Sequence, residues 1–257
     1  MAVTRTYSGD EPVRVNKWMA QSGLCSRREA EALIEQGLIE IDGTAVQSPG
    51  HKIEPGQTLT LLDKGADKLA AKLSVVLHKP EGYVSGTPEG EQVPAVRLLT
   101  RQNLSGRAPV MPGRRHKLAP LGRLDQDSRG LLIMSEDGVL AKAIIGPESR
   151  LEKEYRVRVV GKLPRENLAL LRHGLKLDDR ALKPAIVEPV GPGMLKFVLN
   201  EGRNRQIRRM CDLVDLKVID LIRVRIGPLS LGDLPEGKWR PLGAKEQSKL
   251  IEQSSVG

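Results

Sequence analysis

Gly122-Arg123-Leu124-Asp125-Gln126-Asp127-Ser128-Arg129-Gly130-Leu131-Leu132-Ile133-Met134 sets a carboxylate, Asp125, between two arginines and just ahead of a fully apolar run. The run is short and is followed by the turn signal Ser135-Glu136-Asp137-Gly138, so it reads as a buried strand. A carboxylate at the lip of a buried sheet, beside permanent positive charge, stays ionised at neutral pH. That is the state a carboxylate nucleophile or base requires. Asp is also a common turn residue. From these residues alone, Asp125 reads equally well as a turn cap between solvated arginines.

Working outward, the chain of 257 residues has room for one large domain or for a large and a small one. With 39% hydrophobic and 28% charged residues it is a globular rather than a disordered sequence. Aromatics are only 2% and Phe197 is the sole Phe, so the core must be aliphatic. No apolar stretch approaches the roughly 18 residues of a membrane span. The polar start, residues 1–12, carries no secretory signal, which leaves the cytoplasm as the expected compartment. Cys25 and Cys211 are far apart and are expected to be reduced and packed. His51, His78, His116 and His173 are scattered, and no phosphate-cradling loop occurs, so neither a metal nor a cofactor is expected. A net charge of +9 suits a polyanionic partner.

Residues 13–62 read as a small module. Val15, Trp18 and Met19 mark a short helix. Ser26-Arg27-Arg28-Glu29 is a capping box opening a second helix whose face is Ala30, Leu33 and Ile34. A strand at 38–41 meets the hairpin signal Asp42-Gly43, and 58–61 supplies another strand. Arg14, Lys17, Arg27 and Arg28 fall early, with acidic residues later, which gives either one basic face or an ordinary charged surface. Residues 63–68 are polar and read as a linker.

From 72 to 253 short strands and helices alternate without a repeat, an α+β pattern with a mixed, mostly antiparallel sheet. Strands are expected at 74–80, 154–160, 194–199 and 221–226, and a helix at 164–172. Tyr155, Val157 and Val159 share one strand face. In the word 201–210, Asn204 is placed to cap a helix packed through Ile207, Met210, Cys211 and Val214. Arg203, Arg205 and Arg209 are then free to face outward. Arg208 sits at the edge of the buried face and needs a partner, for which Asp125 is the natural carboxylate.

The word Gly122-Arg123-Leu124-Asp125-x-x-Ser128-x-Gly130 resembles the signature of the RsuA-type pseudouridine synthases of ribosomal RNA, closest to their RluF-like branch. His78-Lys79-Pro80-Glu81-Gly82, Lys153-Glu154-Tyr155 and the arginine-rich word 201–210 resemble further family segments in the family's order, with His78 where Asn is usual. Residues 13–20, 23–30 and 39–43 are similar to the small S-four-like (alpha-L) RNA-binding domain. The resemblance implies isomerisation of a specific uridine to pseudouridine in structured RNA, most readily large-subunit (23S) ribosomal RNA, by a monomer. Asp125 would act at the ribose, Tyr155 would stack on the flipped uracil, Arg208 would pair with Asp125, and Arg123 would hold the gap in the RNA. Arg14, Lys17, Arg27, Arg28, Arg203, Arg205 and Arg209 would contact phosphates. The alternatives are the same chemistry on transfer RNA or small-subunit ribosomal RNA, and a non-catalytic RNA-binding or chaperone protein. The long basic connection 86–117 departs from the family, and either grips RNA or is an idle mobile loop.

Overall fold

The computed structural model describes residues 1–255, in two compact units: Met1–Leu73 with Ser135–Lys142, and Ser74–Met134 with the chain from Ala143 on.

The first unit packs the helices Val15–Gln21 and Arg27–Glu35 with a four-stranded antiparallel sheet. The strand order is Val3–Thr6, Thr58–Leu61, Ile39–Ile41, Thr44–Ala45. Asp42 and Gly43 both have positive φ, +49° and +78°, as a two-residue hairpin turn of this hand requires. Val15, Met19, Ala30, Leu33, Ile39, Ile53 and Leu59 close the core. The capping box forms: Ser26 N–H donates to Glu29 Oε2 at 2.6 Å, and Glu29 N–H to Ser26 Oγ at 3.4 Å. The segment expected to be a linker is instead a helix, Asp63–Ala70. Its Ala66 and Leu69 pack on the core, and its polar residues form the outer face.

Glu29 does more than cap its own helix. Its Oε1 accepts from Gly138 N–H at 2.9 Å and lies 2.7 Å from Lys72 Nζ. The segment Ser135–Lys142 is thereby tied into this unit.

The second unit is built on a nine-stranded sheet. The order across it is Ile186–Gly191, Met194–Leu199, Lys153–Val160, Lys217–Ile226, Arg129–Ser135, Ser74–Lys79, Trp239–Pro241, with Ala119–Pro120 and Leu229–Ser230 as side branches. The pairing Arg129–Ser135 with Lys217–Ile226 is parallel, while the pairings along Lys153–Val160 and Met194–Leu199 are antiparallel. The mixed, mostly antiparallel sheet read from the sequence is therefore present. One face carries the helices Arg165–Arg172 and Gln206–Asp212, the latter packing Ile207, Met210 and Cys211 into one cluster with Val157 and Phe197. Cys25 and Cys211 are unbridged and buried, and burial pushes both thiols up to about 12.

Two local expectations differ from the fold. The helix of the arginine-rich word opens at Gln206, with Arg205 rather than Asn204 at the cap position. The Gln206 side chain reaches back to accept from Arg203 N–H at 2.9 Å, so the side chain that closes this turn comes from Gln206. The connection 86–117 is pinned over its first half. Val93–Pro94 pairs with Tyr83–Val84, and the fully buried Trp239 donates its indole N–H to Thr100 O at 2.7 Å. Among the described residues, no helix is long and apolar enough to cross a membrane, and no three His, Cys, Asp or Glu gather as a metal site.

Burial pushes the Glu29 carboxyl up, but hydrogen bonds from Lys72, Ser26 N–H and Gly138 N–H outweigh it and hold the group below its ordinary value. A depressed acid stabilises the fold above its unfolded value of about 4.3 and loses that contribution as pH falls through the folded value. Glu29→Gln should therefore cost roughly 1–3 kcal/mol at pH 7. The gap from wild type should close as thermal unfolding is repeated down to about pH 3. A gap independent of pH would show that the Glu29 charge is not what stabilises this unit.

Candidate active site

A cleft of about 700 Å³ opens in the second unit over the sheet. Asp125, Arg123, Lys153, Tyr155, Arg208 and Arg223 are among its lining residues. Asp125 sits on the loop that precedes the buried strand Arg129–Ser135.

That loop is clamped from two sides. Ser85, itself buried, donates through Oγ to Leu124 O at 2.7 Å and accepts from Leu124 N–H at 2.9 Å. Gly82 N–H donates to Gln126 O at 2.9 Å. Backbone groups on both flanks of Asp125 are thus fixed by the 82–85 turn. That turn is held in its own right by the buried Lys79, whose Nζ donates to Pro80 O at 2.8 Å and Tyr83 O at 2.7 Å. Burial pushes Lys79 down to about 8. On the other side Arg223, 1% exposed, donates to Gly122 O at 2.9 Å, Arg123 O at 3.4 Å and Leu131 O at 2.8 Å. Gly130 lets this strand close on Arg223: a Cβ there would lie 2.3 Å from the Arg223 carbonyl oxygen, at a φ of +110°.

The structure changes the ion pairs expected from the sequence. Arg208 does not pair with Asp125. Its Nη2 donates to Asp127 O at 2.5 Å and Ser128 Oγ at 3.3 Å, and its Nε lies 3.3 Å from Asp127 Oδ2. Asp127 also takes a forked pair from Arg205, at 3.0 and 2.8 Å. Partial burial pushes Asp127 up, but Arg205 and Arg208 outweigh it and hold the carboxyl below the aspartate range. Asp125 keeps its carboxylate one-third exposed, with Arg205 Nη1 4.0 Å away and no hydrogen bond to it among the described residues. The two acids thus divide: Asp127 is neutralised by a cationic pair, and Asp125 is left open to the cleft.

Tyr155 projects from Lys153–Val160 opposite Phe197 and Arg223, half-buried against the core. Arg123 is exposed and makes no ion pair among the described residues, and the same is true of Arg14, Lys17, Arg27 and Arg28 in the first unit. Arg203 and Arg209 are not free as expected. Arg203 donates to the carbonyls of Leu177, Arg180 and Ala181, and Arg209 forms a forked pair with Asp178. Arg223, Ser85, Lys79 and Lys153 were missed in the sequence. A signal existed for Arg223, which stands in a strand between Ile222 and Val224, where a charge needs a specific reason.

The sequence model of the RNA pseudouridylate synthase family matches residues 73–213, and that of the S4 domain residues 13–59. An uncharacterized RNA pseudouridine synthase of Aquifex aeolicus is 34% identical over 247 residues, covering 93% of this chain and 94% of its own. The dual-specificity RNA pseudouridine synthase RluF of Escherichia coli K12 is 34% identical over 251 residues, covering 96% and 82%. A crystal structure of a pseudouridylate synthase matches with a TM-score of 0.62 at 26% identity, over 93% of this chain and 99% of that one. The chain belongs to the RNA pseudouridine synthase family, carries an S4 domain at its N-terminal end, and isomerises uridine in RNA.

Ser85→Ala strands the buried N–H and C=O of Leu124. It should cost about 1–3 kcal/mol in thermal unfolding and lower turnover further by loosening Asp125. Unchanged stability and turnover would mean that the loop is held without Ser85.

Proposed function

We propose that the enzyme modifies a uridine of large-subunit (23S) ribosomal RNA, acting in the cytoplasm as a monomer, with residues 13–62 as the RNA-binding domain and 72–253 as the catalytic domain. The observation that carries the reading is Asp125: a carboxylate with no hydrogen-bond partner among the described residues, on a rigid loop, in a cleft that also holds Tyr155 and several cations. A carboxylate free of hydrogen bonds keeps its lone pairs for chemistry.

The target base leaves its stack at a cost of a few kcal/mol. Arg123, exposed at the mouth of the cleft and without an ion pair, fills the gap. Tyr155 stacks on the flipped uracil. Asp125 then acts at the ribose, attacking the anomeric carbon or taking a sugar proton. Arg208 positions rather than ionises it, since it fixes Asp127 and Ser128 just downstream. Arg14, Lys17, Arg27 and Arg28, exposed and without ion pairs among the described residues, meet phosphates, whereas Arg203, Arg205 and Arg209 are held by the protein's own acceptors.

Pseudouridine mapping across total RNA, with and without the gene, should show one missing site in large-subunit ribosomal RNA. The relative RluF is called dual-specificity, so the map must include transfer RNA. A lost site elsewhere would move the target, and no lost site would refute the substrate class. Asp125→Asn should lose at least about 10⁴-fold in rate, a barrier rise of roughly 5.5 kcal/mol, while binding RNA normally. A rate within about tenfold of wild type would remove Asp125 from the mechanism.

Binding should also weaken with salt. Arg27→Ala with Arg28→Ala should flatten the slope of log affinity against log salt by about 1.5, near 0.7–0.9 per phosphate contact. An unchanged slope would show that these arginines only solvate the surface.

A further inference from the structure

Lys153 opens the strand Lys153–Val160 and shares a face with Tyr155, two residues and about 7 Å further along. Both line the cleft with Asp125. In the sheet Lys153 stands opposite Leu199 on one side and Ile226 on the other, so its stem is held by apolar neighbours. Its ammonium donates to Leu151 O at 3.2 Å, and no carboxylate pairs with it among the described residues. Burial, with the nearby Arg223 charge, pushes it down to about 8. An ammonium has three donors, so two remain for what enters the cleft. A half-buried cation without an anion is costly unless the ligand brings negative charge.

Of the other cations lining the cleft, Arg123 and Lys183 are exposed, and the others are already engaged. Arg223 is spent on three main-chain carbonyls, and Arg205 and Arg208 on Asp127. We propose that Lys153 is a catalytic residue that donates a hydrogen bond to a carbonyl oxygen of the uracil while the base is detached from the ribose. The inference rests on the uridine-isomerising site described above. When the C1′–N1 bond breaks, its electron pair leaves with the base, and the negative charge spreads over N1 and the two carbonyl oxygens. The base turns, C5 bonds to C1′, C5 loses its proton and N1 gains one. Atoms and electrons balance without a co-reactant. The charge on the base is greatest between the two bonds, so a fixed cation there favours the transition state over the bound uridine.

The test compares Lys153→Met, Lys153→Arg and Asp125→Asn in the full chain. Pseudouridine formation is followed under single turnover on total RNA from cells lacking the gene, and affinity for the same RNA is measured by filter binding. Lys153→Met should slow the reaction roughly 100-fold with affinity within about threefold of wild type, and Lys153→Arg should recover a tenth or more of the wild-type rate. A Lys153→Met rate within about threefold of wild type overturns the proposal. So does a loss carried wholly by affinity, which would make Lys153 a phosphate contact. Should Lys153→Met not fold, Lys153→Gln, which keeps a donor but no charge, decides: a wild-type rate overturns the need for the cation. Activity in Asp125→Asn would overturn the reading of the site itself, whatever Lys153 does.

Discussion

The Arg223 guanidinium is 1% exposed and donates to the carbonyls of Gly122, Arg123 and Leu131, and much of the second unit depends on this arrangement. A charge this deep is tolerated only when its donors are satisfied. Carbonyl dipoles do that without cancelling the net charge. The arrangement therefore fixes both ends of the turn that leads to Asp125 and leaves a positive field beneath the cleft. Lys153 and Lys79 both feel that field, which adds to burial in pushing them down. The strand Arg129–Ser135 must approach Arg223 closely for this to work, and Gly130 is what permits the approach.

The two acids two residues apart show how the same residue type takes different parts through placement. Asp127 meets Arg205 and Arg208 and becomes half of a structural ion pair. Asp125 is turned toward the cleft because Leu124 and Gln126 are fixed by Ser85 and Gly82. Arg205 adopts a left-handed backbone, φ 48°, ψ 33°, that costs a non-glycine residue about 1–2 kcal/mol. Its forked pair with Asp127, open to solvent on both sides, offsets part of that cost. The outcome is a cleft whose rim and floor are cationic but whose open carboxylate, Asp125, is not tied down.

Much of this was legible in the chain. The capping box at Ser26 and Glu29, the Asp42-Gly43 hairpin and the strands Ser74–Lys79 and Met194–Leu199 are local patterns, set by side-chain period and turn chemistry. The helix Asp63–Ala70 was hidden, because its polar face dominates its composition and its apolar contacts come from elsewhere in the unit. The cap at Arg205 was hidden because Gln206, inside the helix, closes the turn that Asn204 was expected to close.

By itself the sequence determined the element types, the basic character of the surface and the word that carries Asp125, because these depend on neighbours within a few residues. Only the tertiary structure decided which arginine meets which acid. Arg208 and Asp127 are 81 positions apart in the chain, and Arg223 and Gly122 are 101 apart. At such separations a carboxylate two residues along is an equally good partner on paper. The choice between Asp125 and Asp127 falls to the backbone clamp at Leu124, which points one carboxylate to the cleft and leaves the other to the guanidinium groups.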